Sequence, residues 1–546
     1  MVPDTIELSH TTSTDRSAGR HRTTLVAALV VILLAIGLRT THYTGNPSLW
    51  FDELAIARNV ADRSLVELIF EPLDHRQVAP VGFLVAVKIS TTLLGSSEFA
   101  FRFVPWVGAL LAPVLFWLVA RRFVGGVSLI AGLLLFAISP AQTWFGGNCK
   151  QYSGDVTIAL LLVWLAMRFR DRPADMRRAL TAGLIGGLLL LCSQPAVVTA
   201  FLLGLILLVE WWRRRSERPF STLATIGGGW ALGAFAAAML MLRLVDEQTM
   251  VHMKSFWSEG FPPPPSAALD SLLWYPLQTI ETFGVFLFHI GAKSSPLAQI
   301  VIVLSVIAVG GIIHLARGDR WTAALLAAPL IGALLAATVH LLPFRDRVGM
   351  HASWPILIMA MSGFEALHCW MPKKVRWIAP ATAIFLAGVP AAAVLTVGRP
   401  PYRGHQEMRP LLADFAERRK AGDAIYVFHG ARHAMHFYGS TIGIKEDEWT
   451  EGGVHYGDTR AYLHEVDAFR GEPRFWFVYT QTARFEAPKA IVAYLDSIGE
   501  QLEMIPDPYG RGGQSEVAAY LYDLSDPGRL ERANAATFTL PELTTR

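Results

Sequence analysis

Charge is scarce in this sequence of 546 residues: Asp, Glu, Lys and Arg make up 17% of it, where an average soluble domain carries about 25%. The shortage is local. The last 146 positions hold 38 of the 93 charged residues, about the density of a soluble domain. The first 400 positions hold the other 55. Cysteine is scarce too. Cys149, Cys192 and Cys369 stand in separate segments without paired spacing, which excludes a disulfide framework and a CxxC-type zinc site and reads as three buried free thiols. A net charge of +3 is too small for a nucleic-acid-binding surface. The last 146 residues also lack GxGxxG, a P-loop and GxSxG, so neither a nucleotide fingerprint nor a hydrolase elbow is written there.

What the chain has in excess is apolar side chain, 52% of all residues. A helix that crosses a bilayer needs about 20 mostly apolar residues. Candidate spans lie near 23–40, 103–120, 126–141, 156–169, 179–193, 195–212, 222–245, 296–316, 321–341, 350–369 and 377–398. Two further stretches are ambiguous: 80–94 is short and holds Lys88, and 272–291 holds Pro276, Glu281 and His289.

Basic residues arbitrate, because they concentrate in cytoplasmic loops. With neither ambiguous stretch crossing, the N-terminal tail, Arg121/Arg122, Arg168–Arg178, Arg213–Arg218, Arg317/Arg320 and Lys373/Lys374/Arg376 all fall on the cytoplasmic side. If 80–94 crosses alone, every later cluster falls outside. The stretch 80–94 therefore reads as a helix in or dipping into the interface. That gives eleven spans, or thirteen if both stretches cross, with the same side for the C-terminal domain. Arg16, Arg20, His21 and Arg22 ahead of Thr23–Leu38 read as an uncleaved signal anchor.

The expected organisation is a cytoplasmic tail (1–22), a transmembrane domain (23–399) with a long first outer loop (41–102), and an extracytoplasmic α/β domain (400–546). The charge density shifts near Arg399–Pro401. In the last part, Ala424–Phe428, Phe475–Tyr479 and Val517–Tyr522 read as strands, and 405–420, 432–438 and 485–499 as helices. This domain reads as a structural or acceptor-recognising cap rather than a second active site.

The chemistry-bearing residues collect on the expected outer face. Trp50-Phe51-Asp52-Glu53 follows the first helix, and two adjacent carboxylates beside hydrocarbon are costly unless compensated. A carboxylate there can serve as a general base. Asp52 can equally cap a helix beginning at Glu53, with Trp50 as an interfacial anchor. His75 and Arg76 open the interfacial stretch at Pro80, and Arg102 closes it. Lys150, Tyr152 and Asp155 lie in Asn148–Asp155, Arg345 and Arg347 in Pro343–Arg347, and His252 and Lys254 in the 246–295 loop. Cations on the face that usually lacks them suggest an anionic ligand such as phosphate. Headgroup contact and snorkelling are the ordinary explanation of each one alone. Together the residues suit glycosyl transfer from a lipid phosphate. The cations stabilise charge on the departing phosphate, while a carboxylate on the other side of the anomeric carbon activates the acceptor hydroxyl.

Several of these segments, with Val78-Ala79-Pro80, Gly95–Arg102, Lys150–Ser153 with Asp155, and Pro343-Phe344 with Arg347, resemble the GT-C membrane glycosyltransferases. The likeness is to the bacterial family 39-like branch of protein O-mannosyltransferases and aminoarabinose transferases, over roughly residues 20–400. The resemblance implies a GT-C-like polytopic α fold with a soluble α/β domain and an inverting glycosyltransferase of the plasma membrane, the bacterial inner one. It implies a polyprenyl-phosphate sugar donor, Asp52 as the catalytic carboxylate, and an acceptor that is glycan, lipid or protein of the cell envelope. Glu53, His75, Arg76, Arg102, Lys150, Tyr152, Asp155, Arg345 and Arg347 are then the candidates for donor-phosphate and substrate binding. Relatives in the aminoarabinose branch carry a Lys just before the proline of the interfacial helix, where this chain has Ala79. Some GT-C enzymes use a divalent metal such as Mg or Mn; Asp52, Glu53 and Asp155 could support one, but nothing in the sequence demands it.

Two other classes compete. A transporter or lipid flippase would explain the many spans, but it would usually show inverted repeats or paired broken helices, which are not evident. A non-catalytic assembly subunit with the same fold would be expected to have lost the acid at position 52.

Overall fold

The apolar runs of the first 400 residues become helices, and the charged remainder builds a small sheet covered by helices. The computed structural model describes residues 8–171, 175–214, 219–288, 296–396, 400, 406–455, 457–480, 487–507, 517–531 and 533–540. Parts of the basic clusters at 168–178 and 213–218, His289, the boundary residues Arg399 and Pro401, and residues 405, 485 and 486 of two expected helices lie outside them. The chain divides into two compact units. Met1–Gly45 joins Arg63–Pro401 in a helical unit, and Asn46–Asp62 joins Tyr402–Arg546 in an α/β unit.

In the helical unit, seven helices among the described residues are long and apolar enough to cross a membrane, or eight if one bent pair counts as a single span. The expected eleven to thirteen included shorter helices. Met176–Leu190 has 15 residues and Trp354–Trp370 has 17. The expected spans 296–316 and 321–341 are one long helical run, Pro296–Thr338, interrupted at Asp319, whose φ of −147° and ψ of 97° are not helical. Asp319 caps the second half, accepting from the Trp321 and Thr322 amides at 3.0 and 3.3 Å. The expected interfacial segment is the helix Val81–Leu94, which starts after Pro80. Its 14 residues rise about 21 Å, short of the roughly 30 Å hydrocarbon core. Leu93 and Leu94 are exposed on it.

Two devices hold the helices together. The first is close approach of backbones. Gly183 and Gly187 on Met176–Leu190 face Gly229 and Gly233 on Phe220–Leu244; a Cβ on Gly229 would lie 2.6 Å from the Gly183 backbone. This is the small-xxx-small crossing of membrane helices. The second is donation of buried polar side chains to main-chain carbonyls. Helices Gly126–Ile138 and Pro140–Gly146 bend by 47°, because Pro140 has no N–H to continue the ladder. The fully buried Arg39 donates to the carbonyls of Ala137 (3.0 Å) and Phe136 (3.3 Å) at that break, satisfying acceptors that the bend leaves over.

The α/β unit has five strands: β1 (Ala424–Val427), β2 (Thr450–Glu451), β3 (Phe475–Thr480), β4 (Glu500–Ile505) and β5 (Val517–Asp523). Their order in the sheet is β2-β1-β3-β5-β4. β1 pairs in parallel with β2 and β3, and β5 runs antiparallel to β3 and β4. Helices Met408–Arg418, Arg432–Gly439, Thr459–Asp467 and Ala487–Ile498 accompany it. Asp423 ties the sheet at its start: its carboxylate accepts from Arg474 at 2.7 and 3.1 Å, from Trp476 Nε1 at 2.8 Å and from the Lys420 amide at 2.9 Å.

The expected first outer loop 41–102 is not one structural piece. Residues 46–62 group with the C-terminal residues, and 63–102 with the helices. Within the α/β unit, the helix Phe51–Asp62 packs on Arg432–Gly439, with the Phe51 ring 5.0 Å from that of His433 and Arg58 Nη1 3.1 Å from His433 Nδ1.

Candidate functional site

In the α/β unit, Asp52 lies on a helix that begins at Phe51, so both Asp52 and Glu53 sit in its first turn. Acidic side chains are favoured there by the exposed N–H groups and the helix dipole. Asp52 is half-buried and Glu53 fully buried. The Glu53 carboxylate turns back on the helix entry and accepts from the Trp50 amide at 3.4 Å. The other entry amides reach across the unit. Ser48 N donates to Glu407 Oε2 at 3.0 Å, Leu49 N to the Tyr438 hydroxyl at 2.8 Å, and Phe51 N to Gln406 Oε1 at 2.9 Å. Ser48 Oγ also donates to Glu407 at 2.9 Å, and Arg409 Nη2 donates to the Asn46 carbonyl at 2.8 Å.

The other candidates lie in the helical unit. Lys150, buried in the turn ahead of helix Tyr152–Asp171, donates from Nζ to Gln77 Oε1 at 3.0 Å. Gln77 is the residue after Arg76 and lies two positions before Ala79, where the expected lysine is missing. Gln77, Val78, Ala79 and Pro80 line a groove that continues along Leu84, Leu191 and Leu240. A cation thus stands near Gln77 at one end of an apolar groove, although it comes from a separate segment.

Tyr152 and Arg347 are also brought together. Arg347 Nε donates to the Tyr152 hydroxyl at 3.2 Å, and its guanidinium lies 5.7 Å from the Tyr152 ring and 5.3 Å from the Trp257 ring. Two aromatic faces and a hydrogen bond fix the guanidinium plane. Arg345 is engaged elsewhere, ion-paired with Glu259 and 3.8 Å from Glu281. Asp155 is buried three residues below Tyr152, and Ser193 is its hydrogen-bond partner. Arg102 is buried in the first turn of Glu98–Ala120 and acts electrostatically on His42. His75 and Arg76 form a tight turn with φ of +64° and +53°, and Arg76 is exposed. The structure therefore gathers Lys150 with Gln77 and Tyr152 with Arg347, and gives Arg345 acidic partners of its own.

Among the described residues, no group of three or more His, Cys, Asp or Glu side chains could hold a metal ion. Sequence reasoning missed Trp257, Gln406, Glu407 and Tyr438 as members of these arrangements, and it noted Gln77 only as part of the segment that opens the interfacial stretch. Trp257 is remote in sequence from Arg347, and Glu407 from Ser48, so no local spacing signals either contact.

Residues 77–239 match the model of the family described as dolichyl-phosphate-mannose-protein mannosyltransferase. The resemblance drawn from the sequence is borne out over that segment. No curated protein matches the chain. Two of the solved structures similar to it are the following. One is the archaeal oligosaccharyltransferase AglB from Archaeoglobus fulgidus in complex with an inhibitory peptide and a dolichol-phosphate, at 12% identity and a TM-score of 0.47, covering 90% of this chain and 74% of that one. The other is ArnT from Cupriavidus metallidurans bound to undecaprenyl phosphate, at 12% identity and a TM-score of 0.48, covering 92% of this chain and 98% of that one. Likenesses at these scores carry no functional inference.

Proposed function

We propose that this integral membrane protein is an inverting glycosyltransferase that moves a sugar from a polyprenyl-phosphate donor to an acceptor hydroxyl on the outer face of the plasma membrane. The observation that carries the reading is Lys150 held at Gln77 beside the apolar groove that begins at Gln77–Pro80. A lipid phosphate needs an apolar path for its chain and a cation at its head, and the groove with Lys150 nearby supports that reading. The matched family names a lipid-phosphate-linked sugar as its donor.

In the reaction, the acceptor oxygen bonds to the anomeric carbon as its proton passes to a carboxylate base, the role that the sequence resemblance gives to Asp52. The bond between that carbon and the phosphate oxygen breaks, and both its electrons leave with the polyprenyl phosphate. Lys150 is the point charge for that phosphate. Arg347, fixed by Tyr152 and Trp257, is a second donor group for phosphate or sugar. The N-terminal tail 1–22 is then cytoplasmic and the α/β unit extracytoplasmic, as the basic clusters require.

The test is a lipid comparison between wild-type cells and a deletion strain, followed by incubation of the accumulated lipid with purified protein. A polyprenyl-phosphate sugar should accumulate in the deletion strain, and the protein should release polyprenyl phosphate from it. Lys150→Met should raise the donor KM by about tenfold, the loss expected when one charged hydrogen bond is removed. Transport of the lipid without cleavage of the sugar bond would contradict the assignment.

A further inference from the structure

The segment 46–51 ahead of Asp52 has a feature that the proposed reaction does not require. A helix entry normally leaves its first amides to water or to a cap. Here four consecutive amides each meet a side-chain acceptor. Ser48 N has Glu407 at 3.0 Å, Leu49 N has the Tyr438 hydroxyl at 2.8 Å, Trp50 N has Glu53 at 3.4 Å, and Phe51 N has Gln406 at 2.9 Å. Three of those four acceptors come from the C-terminal residues. The hydrogen bonds also continue through Ser48 Oγ, which donates to Glu407 at 2.9 Å and accepts from the Arg409 amide at 3.2 Å. On the far side of Asp52, Arg58 meets His433 at 3.1 Å, and the Phe51 ring lies on His433. Asp52 is therefore bracketed on both sides by residues of the C-terminal part of the chain.

We propose that Glu407 and Tyr438 are positioning residues for Asp52, so that the α/β unit serves to aim the catalytic carboxylate. The proposal rests on the reading of Asp52 as the general base. The physical reason is geometric. A carboxylate in the first turn of a helix points where the helix entry points it, and the entry is set by the amides at 48, 49 and 51. A displacement of about 1 Å in a reacting group can cost about a hundredfold in rate. The charge of Glu407 is not needed for this, because its function is to accept two hydrogen bonds, and an amide oxygen can do the same.

The test is steady-state kinetics of sugar transfer by the purified full-length protein with its accumulated lipid donor. Glu407→Leu should lower kcat by about a hundredfold with donor KM changed less than about twofold. Glu407→Gln should restore kcat to within about threefold of wild type, since an acceptor returns. Tyr438→Phe removes one oxygen and should lower kcat by about tenfold. It also carries the test if Glu407→Leu does not fold. In an Asp52→Asn background, neither change should lower the residual rate further, because a positioning effect has nothing left to position. Wild-type kcat in Tyr438→Phe, or equal losses with and without the Asp52→Asn substitution, would overturn the proposal while leaving the glycosyltransferase reading intact. Full activity of Asp52→Asn alone would instead remove the reading on which it rests.

Discussion

The buried contacts between helices in one unit and those that tie the sheet in the other are built differently. In the helical unit, polar side chains donate to main-chain carbonyls: Arg39 to Ala137 and Phe136, Ser153 to Pro105, Thr157 to Gly108 and Trp230 to Ala182. Helices also approach until glycine backbones touch. In the α/β unit, side chains satisfy side chains: Asp423 holds Arg474 and Trp476, and Glu465 accepts from Tyr426 at 2.6 Å and lies 2.7 Å from His455. Water is absent from hydrocarbon, so a membrane helix must satisfy its polar groups internally, most often on backbone. A water-facing unit can instead pair charged side chains. Residues 46–62, although they lie in sequence between membrane helices, bond within the α/β unit, where the amides of Ser48, Leu49 and Phe51 donate to the side chains of Glu407, Tyr438 and Gln406. Asp52 thus belongs structurally to the α/β unit.

The largest effect should come from breaking the backbone contact that characterises the helical unit. Gly229→Val places a side chain against the Gly183 backbone and should destabilise the protein by about 3 kcal/mol or more, read as a fall in Tm by intrinsic tryptophan fluorescence. Gly204, which has nothing within 4 Å of a Cβ, is the control, and Gly204→Ala should change stability by under about 1 kcal/mol.

A pH titration also acts on the α/β unit. Burial, aided by the positive charge of Arg432, lowers the pKa of His429 to about 4 from its ordinary 6.5. The unfolded chain therefore binds a proton there that the folded chain refuses. Stability from this group is full above about pH 6.5 and is lost as pH falls to about 4, up to about 3 kcal/mol in all. Hydrogen exchange of β1 and β3 should show protection falling across that window. His429→Asn, which can still accept from Tyr462, should flatten it.

Asp423→Ala should cost about 2 kcal/mol, since Arg474 keeps some water, and should loosen β1 and β3 without moving the helical unit. Burial works to raise the Asp423 pKa, but the bonds from Arg474, Lys420 and Trp476 outweigh it and hold the carboxyl below its ordinary value. Its contribution is therefore present above about pH 4 and is lost only as pH falls below that.

The smallest perturbation tests sidedness. With the other cysteines removed, Asp447→Cys should react with an impermeant thiol reagent in intact cells, and native Cys369 should react only after lysis. Both sites are exposed in the fold, Cys369 contrary to the buried thiol expected from the sequence. The reverse pattern would invert the topology.

Much of this arrangement is legible in the sequence. The charge density separates the water-facing tail, and apolar runs locate nearly all the long helices. β1, β3 and β5 begin at the expected residues, because their side chains are buried and apolar. β4 escapes sequence reasoning because Glu500–Ile505 is an exposed edge strand with two glutamates, whose pattern carries little apolar alternation. β2 is two exposed residues, Thr450 and Glu451, and offers no pattern. The site is only half legible. Asp52 and the basic residues stand out by type, but their partners do not. Gln77 for Lys150, Trp257 for Arg347 and Glu407 for Ser48 are contacts made by folding, between residues that no periodicity relates. The glycine crossing at 183, 187, 229 and 233 is written at four-residue spacing, yet it is informative only once the two helices are known to cross.

The central claim is that Asp52 takes the acceptor proton during transfer from a lipid phosphate. The most direct measurement is single-turnover transfer by Asp52→Asn, purified beside wild type, with the accumulated polyprenyl-phosphate sugar at saturating concentration. The variant should fold with an unchanged Tm and bind the donor with an unchanged Kd. Its transfer rate should fall by about a thousandfold, within the range a general base supplies. Transfer at the wild-type rate would contradict the account.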